Sequence, residues 1–237
     1  MNIRKKILTR CGALLTAVLV LAPTALAAEA EIPYIPQTVP AAQLAPADQR
    51  GQEDWQLLLV NPWHTVPEGY EIKLATLSNG LQVDERIYDD LDDMLSDCRE
   101  AGLNPIVCSA YRTEATQTRL YRNKVARVRA SGVPEDRVEA EAARWVAKPG
   151  TSEHQTGLAL DIVAAGYQIL DEEQEDTAEQ KWLMENSWKY GFILRYPSEK
   201  SDITGIGYEP WHYRYVGKAA AADIYRTGVC PDEYLSQ

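Results

Sequence analysis

Residues Lys148 to Ile162 read KPGTSEHQTGLALDI, and the folding of this stretch sets the rest of the chain. Thr151 to Gly157 is polar and bounded by glycine, which predicts a loop. Leu158 to Val163, LALDIV, predicts a strand with Ala159, Asp161 and Val163 on one face and Leu158, Leu160 and Ile162 on the other. Both faces read as covered. An ionised Asp161 on such a strand needs a partner, because unpaired burial of a charge is strongly unfavourable. That partner is either an arginine or a metal ion, and His154 on the adjoining loop turns the reading towards metal.

The complement lies downstream in Tyr208 to Gly217, YEPWHYRYVG. His212 to Val216 predicts a strand presenting His212, Arg214 and Val216 on one face. Pro210 takes Glu209 out of regular strand geometry. Catalytic zinc takes three protein ligands and keeps one position open. His154, Asp161 and His212 supply that number, for one Zn2+ per chain. Glu209 is then placed to serve as the general base beside an activated water. The remaining histidine, His64, lies in the polar stretch NPWHTVPEGY and takes no ligand role.

Working outward, Trp55 to Asn61 (WQLLLVN) predicts a first strand. Asp84 to Ala101 carries Ile87, Leu91, Met94, Leu95 and Cys98 at helical spacing and stops at Gly102, so it predicts an amphipathic helix. Asn104 to Tyr111 predicts a short buried strand. Thr113 caps a helix over Glu114 to about Ala130, which places Arg112 at a strand-to-helix junction suited to a cation for a developing oxyanion. A further helix starts at Pro134 and ends near Val146. Asp171 to Asp176 predicts an acidic loop without chemistry. Then follow a helix from Thr177 to Tyr190, a strand from Phe192 to Tyr196, a polar loop from Ser198 to Gly207 that can border a cleft, and a last helix through about Tyr225.

The N-terminus reads as a targeting segment. Arg4, Lys5, Lys6 and Arg10 precede an apolar run, and Ala25-Leu26-Ala27 has the form of a cleavage site. A signal peptide over 1–27 is expected, with retention as an anchor the alternative, followed by a Pro- and Ala-rich linker over 28–54 and one domain over 55–237. The linker fits either a tether or ordinary post-signal sequence. With 24 Lys and Arg against 35 Asp and Glu the net charge is −11. Four of those cations belong to the leader, so the exported part is more acidic still. Such a balance argues against nucleic acid or anionic membrane as partner. Three cysteines follow the leader, Cys98, Cys108 and Cys230. They read first as small buried thiols and only second as a source of a disulfide.

Three motifs carry a family resemblance. SEHQTGLALD (Ser152 to Asp161) matches S-x-H-x-x-G-x-A-x-D, EPWH (Glu209 to His212) matches E-x-W-H, and SAYRTEATQ (Ser109 to Gln117) matches S-x-Y-R-[ST]-x-x-x-Q. In this order they resemble the VanY-type zinc D-alanyl-D-alanine carboxypeptidases, whose wider relatives include VanX-type dipeptidases and LdcB-type L,D-carboxypeptidases. The resemblance covers roughly Leu81 to the C-terminus. It implies an α+β fold of the hedgehog/D,D-peptidase type, a small antiparallel sheet carrying the zinc site with helices packed around it. It implies His154, Asp161 and His212 as zinc ligands, with Glu209 and Arg112 as catalytic residues. Ser152, Gln117, Tyr111, Ser109 and Trp211 are implied to contact substrate, Gln117 and Tyr111 by lining the cleft. The expected activity is removal of the terminal D-alanine from peptidoglycan stem peptides by an exported, monomeric enzyme. The alternatives are an L,D-carboxypeptidase acting on tetrapeptide stems and a non-catalytic wall-binding module.

Overall fold

A computed structural model describes residues 55–236. The expected leader and linker fall outside the described residues. Among the described residues no helix is long and apolar enough to cross a membrane.

The centre is a four-stranded antiparallel sheet. Its strands are β3 (Pro105–Ser109), β4 (Ala159–Ala164), β5 (Phe192–Leu194) and β6 (His212–Tyr215), in the order β3-β4-β6-β5. A separate hairpin, β1 (Leu74–Thr76) and β2 (Gln82–Asp84), precedes it. Every residue of β4 is buried, as its unbroken apolar run requires. Leu158, Leu160 and Ile162 join Val107, Phe192, Tyr213 and Tyr215 in one core. Helices α1 (Tyr88–Glu100) and α4 (Ala178–Asn186) cover that face, through Leu91, Met94 and Leu95 from the first and Leu183 from the second. The opposite face of the sheet carries Asp161 and His212.

Register decides which side chains meet there. Asp161 pairs with His212 on β6, and on its other side with Ser109 on β3. Directly paired residues project to the same face with their Cβ atoms about 5 Å apart. Ser109 reaches that position through a bulge. Val107 pairs with Ile162 and Ser109 with Asp161, so Cys108 is the extra residue. Without the bulge Cys108 would stand opposite Asp161.

Helices α2 (Glu114–Ala130) and α3 (Glu135–Ala143) pack on each other through Val128, Val138 and Ala142. The α2 N-terminus is capped as its sequence implies, Thr113 Oγ1 accepting from the Thr116 amide at 3.2 Å. After the short α5 (Ser201–Thr204) and β6 come α6 (Lys218–Thr227) and α7 (Pro231–Leu235). Ala220, Ala221 and Ile224 of α6 and Tyr234 of α7 form a second core with Val216 and Leu57.

The α+β architecture agrees with the sequence reading, and several local expectations are corrected, among them the loop Ser198 to Gly207, which contains α5. Trp55 to Asn61 is not a strand: Trp55–Leu57 is a 3-10 turn, and the Arg214 guanidinium takes the carbonyls of Gln56 and Leu58 at 3.0 and 2.8 Å. A side-chain donor occupies the acceptors that a ladder would need. The β1–β2 hairpin was not expected, although Asn79-Gly80 supplies the turn, with Gly80 at φ 85°. Asp171 to Asp176 is not an open loop: Glu172–Asp176 winds into a 3-10 turn pinned by buried Gln174, which donates to the carbonyls of Tyr167 and Ile169. Helix α7 was missed because it is a single short turn entered at Pro231. Finally, the three cysteines are free thiols as the sequence suggests, and Cys98 and Cys230 are buried, but Cys108, at the bulge, is exposed.

Candidate metal centre

His154 lies on a buried 3-10 turn, Glu153–Thr156, that closes at Gly157 in the left-handed region, φ 71°. Its Nδ1 lies 2.8 Å from the carbonyl of Ala110. A carbonyl only accepts, so Nδ1 carries the hydrogen and Nε2 keeps its lone pair. That lone pair lies 3.3 Å from Asp161 Oδ1. His212 meets the same oxygen with Nδ1, also at 3.3 Å. The three ligand atoms lie within 4.8 Å of one another and all three residues are buried.

The two oxygens of Asp161 have different duties. Oδ2 accepts from Arg112 Nη2 at 2.7 Å. Oδ1 is buried with no hydrogen-bond partner among the described residues. An orphaned buried carboxylate oxygen is strongly unfavourable unless something cationic sits against it. Two imidazole nitrogens converging on that oxygen make a donor set that suits zinc. Arginine and metal are therefore not alternatives for Asp161, because Arg112 takes Oδ2 and leaves Oδ1 available to an ion.

The titration pattern follows from this crowding. Asp161 is held well below the usual carboxylate range: burial works against its charge, but His154 and Arg112 outweigh it. His154 falls to about 4, through burial and the nearby Arg112. His212 rises to about 9 despite its burial, because the carboxylates of Asp161 and Glu153 lie on either side of its ring. Glu209 is pushed up to about 7, chiefly by burial. Its Oε2 lies 3.5 Å from His212 Nδ1. The turn ahead of β6 fixes it, with the His212 amide donating to the Glu209 carbonyl at 3.1 Å and the Glu209 amide to the Tyr196 carbonyl at 3.2 Å.

These groups open on a cleft of about 830 Å³. Arg112, Ser152, Glu209 and Trp211 line it, with Tyr196 against the His212 ring at 4.7 Å between centroids. One wall is the Leu120, Lys124 and Arg127 face of α2, and the acidic turn at Asp171 to Glu173 borders another. Ser109 sits behind Arg112, its Oγ accepting from Nε and Nη2 at 2.9 and 2.7 Å.

Gln117 and Tyr111 do not line the cleft, which corrects their expected placement. Gln117 is buried in the first turn of α2, where Nε2 donates to the Ala147 carbonyl at 2.7 Å. Tyr111 is tied by its amide to the Gln82 carbonyl at 2.8 Å and is half-buried beside the hairpin.

A second layer escaped the sequence reading. Glu153, Arg195 and Arg214 are buried behind His212. Arg195 was detectable: a cation inside the apolar strand FILRY requires a counter-charge for the same reason as Asp161. Glu153, in a polar loop, gave no such signal.

The VanY family model, described as D-alanyl-D-alanine carboxypeptidase, matches residues 80–218. A D-alanyl-D-alanine carboxypeptidase of Enterococcus faecalis (strain ATCC 700802 / V583) is 47% identical over 194 residues, which is 81% of this chain and 70% of that protein. A VanY D,D-pentapeptidase variant from a VanB-type resistance cassette, solved in complex with Zn(II), superposes with a TM-score of 0.70 at 47% identity over 76% of this chain and 99% of that one. VanYB in complex with D-alanine-D-alanine gives 0.72 at 46% identity, over 77% and 98% of the two chains.

Proposed function

The chain belongs to the VanY family of D-alanyl-D-alanine carboxypeptidases, and from that premise we propose that its cleft removes the terminal D-alanine from peptidoglycan stem peptides. It is a zinc-dependent hydrolase of the D,D-carboxypeptidase class. One observation carries the reading: the partnerless Asp161 Oδ1 faces His154 Nε2 and His212 Nδ1, with Glu209 beside them.

His154 Nε2, Asp161 Oδ1 and His212 Nδ1 would hold the ion. Zinc there supplies Lewis-acid polarisation of the scissile carbonyl and of the attacking water. Glu209 takes a proton from that water at a carboxylate oxygen. As the C–N bond breaks, the same proton passes to the leaving amine of D-alanine. Burial suits Glu209 to both steps, since a carboxyl that titrates near 7 can accept and return a proton at neutral pH. Arg112 is clamped by Ser109 and Asp161, which leaves Nη1 to face the developing negative charge on the carbonyl oxygen. Ser152 and Trp211 border the substrate at the cleft wall. The leader motif over residues 1–27 supports export to the side of the membrane where such stems occur.

The test is D-alanine release from muropeptides ending in D-Ala-D-Ala, followed by mass spectrometry with and without chelator. Release that stops on chelation and returns with zinc supports the reading. Chelator-insensitive release would overturn the zinc mechanism, and release from tetrapeptides alone would move the activity to the L,D class.

A further inference from the structure

We propose that Glu153 is a positioning residue for the metal centre, holding the His212 ring so that Nδ1 rather than Nε2 faces Asp161. The inference rests on the zinc reading above.

Glu153 is 1% exposed and uses its two oxygens differently. Oε1 accepts from Arg195 Nε at 2.7 Å and lies 3.0 Å from Arg214 Nη1. Oε2 lies 3.5 Å from His212 Nε2. Both Oε2 and Nε2 are buried, and neither has a hydrogen-bond partner among the described residues. Each is therefore the other's natural partner, and the pair is satisfied when Nε2 carries the hydrogen. The lone pair is then left on Nδ1, on the Asp161 side. A carboxylate behind a ligand histidine fixes its tautomer and orientation and raises its basicity.

The carboxylate is itself held from behind. Arg195 Nη1 donates to Asp232 Oδ2 at 2.7 Å, and Asp232 Oδ1 accepts from Asn61 Nδ2 at 2.7 Å. Arg214 is anchored on the carbonyls of Gln56 and Leu58. Two arginines face two carboxylates, so the layer is neutral. If Glu153 served only to neutralise them, Oε1 alone would suffice; the placement of Oε2 is what points to His212. Asn61 and Asp232 lie outside the matched residues 80–218, and Asp232 contacts Arg195 and Asn61, not His212.

The experiment measures zinc affinity by competition with a chromophoric chelator, together with the visible spectrum of the Co(II)-substituted protein. Three variants are compared with wild type. Glu153→Asp keeps the charge opposite the arginines but withdraws it from His212, and Glu153→Gln removes the charge. Asp232→Asn weakens the same buried layer without touching His212. Both Glu153 variants should bind zinc roughly 10- to 100-fold more weakly, with a changed Co(II) spectrum. Asp232→Asn should lower the melting temperature and leave zinc affinity and spectrum as in wild type.

Wild-type affinity and spectrum in Glu153→Asp would overturn the inference, as would an equal loss of affinity in Asp232→Asn. If the Glu153 variants do not fold, nitrogen-15 NMR of the zinc-loaded wild type decides. A protonated Nε2 on His212 supports the proposal and a metal on Nε2 overturns it. Failure of the wild type to bind zinc would overturn the zinc reading and this inference together. Zinc binding with an unaffected Glu153→Asp overturns this inference alone.

Discussion

Asp161 on β4 and His212 on β6 are register partners, with Oδ1 of the one 3.3 Å from Nδ1 of the other. The sheet's own pairing thus brings two of the three ligands together, and only His154 arrives on a loop. Asp161→Asn should abolish tight zinc binding, a larger loss than the roughly 10- to 100-fold typical of an outer-layer partner. Zinc content after dialysis against a weak chelator checks it, and a stoichiometric zinc load in the variant would contradict the ligand assignment.

Replacing Glu209 by Gln keeps its volume and removes its proton-carrying capacity. D-Alanine release should fall by about 10²–10⁴-fold, the usual weight of a general acid–base group. Zinc content should stay at the wild-type level, which separates a proton-transfer role from a ligand role.

Zinc binding should release protons. In the metal-free site His212 titrates near 9, so at neutral pH it is protonated and zinc must displace that proton. The sign follows: affinity rises as pH increases towards 9, by about tenfold per unit for one competing proton, and flattens above it. Calorimetry in buffers of different ionisation enthalpy measures the release. A heat independent of buffer would contradict it.

The buried charge layer should make the fold acid-sensitive. Glu153 and Asp161 are both depressed below their ordinary values. A depressed carboxyl contributes stability that is complete above its unfolded pKa, near 4, and is lost as pH falls towards the folded value. The melting temperature should therefore hold from pH 7 to 5 and drop below about 4. Arg195→Leu strips Glu153 and Asp232 of their shared cation and should cost about 3–5 kcal/mol in urea unfolding at neutral pH.

Gly157→Ala should damage both fold and site. The residue sits at φ 71°, and an added Cβ would lie 2.8 Å from the Asp84 amide nitrogen. The left-handed backbone alone costs about 1–3 kcal/mol for a non-glycine residue. Because this turn carries His154, zinc affinity should fall with stability, in contrast to Gly166→Ala, whose Cβ meets open space.

Much of this protein was legible in its sequence. The apolar run around Asp161 announced a buried carboxylate, and Glu209 and His212 flanking Pro210 supplied the base and the third ligand. Alternation and helical spacing located β3, β4, β6, α1 and α2, because those signals are local and repeat within a few residues. Tertiary structure alone decided which atoms meet. The bulge at Cys108 put Ser109 opposite Asp161, and through Ser109 it set the angle of Arg112. The Ala110 carbonyl chose the His154 tautomer, and Glu153, backed by Arg195, Arg214 and Asp232, faces the outer side of His212. Those choices rest on hydrogen-bond satisfaction between groups far apart in the chain. Burial makes every unpaired atom costly, and only the folded packing shows which partner is within reach.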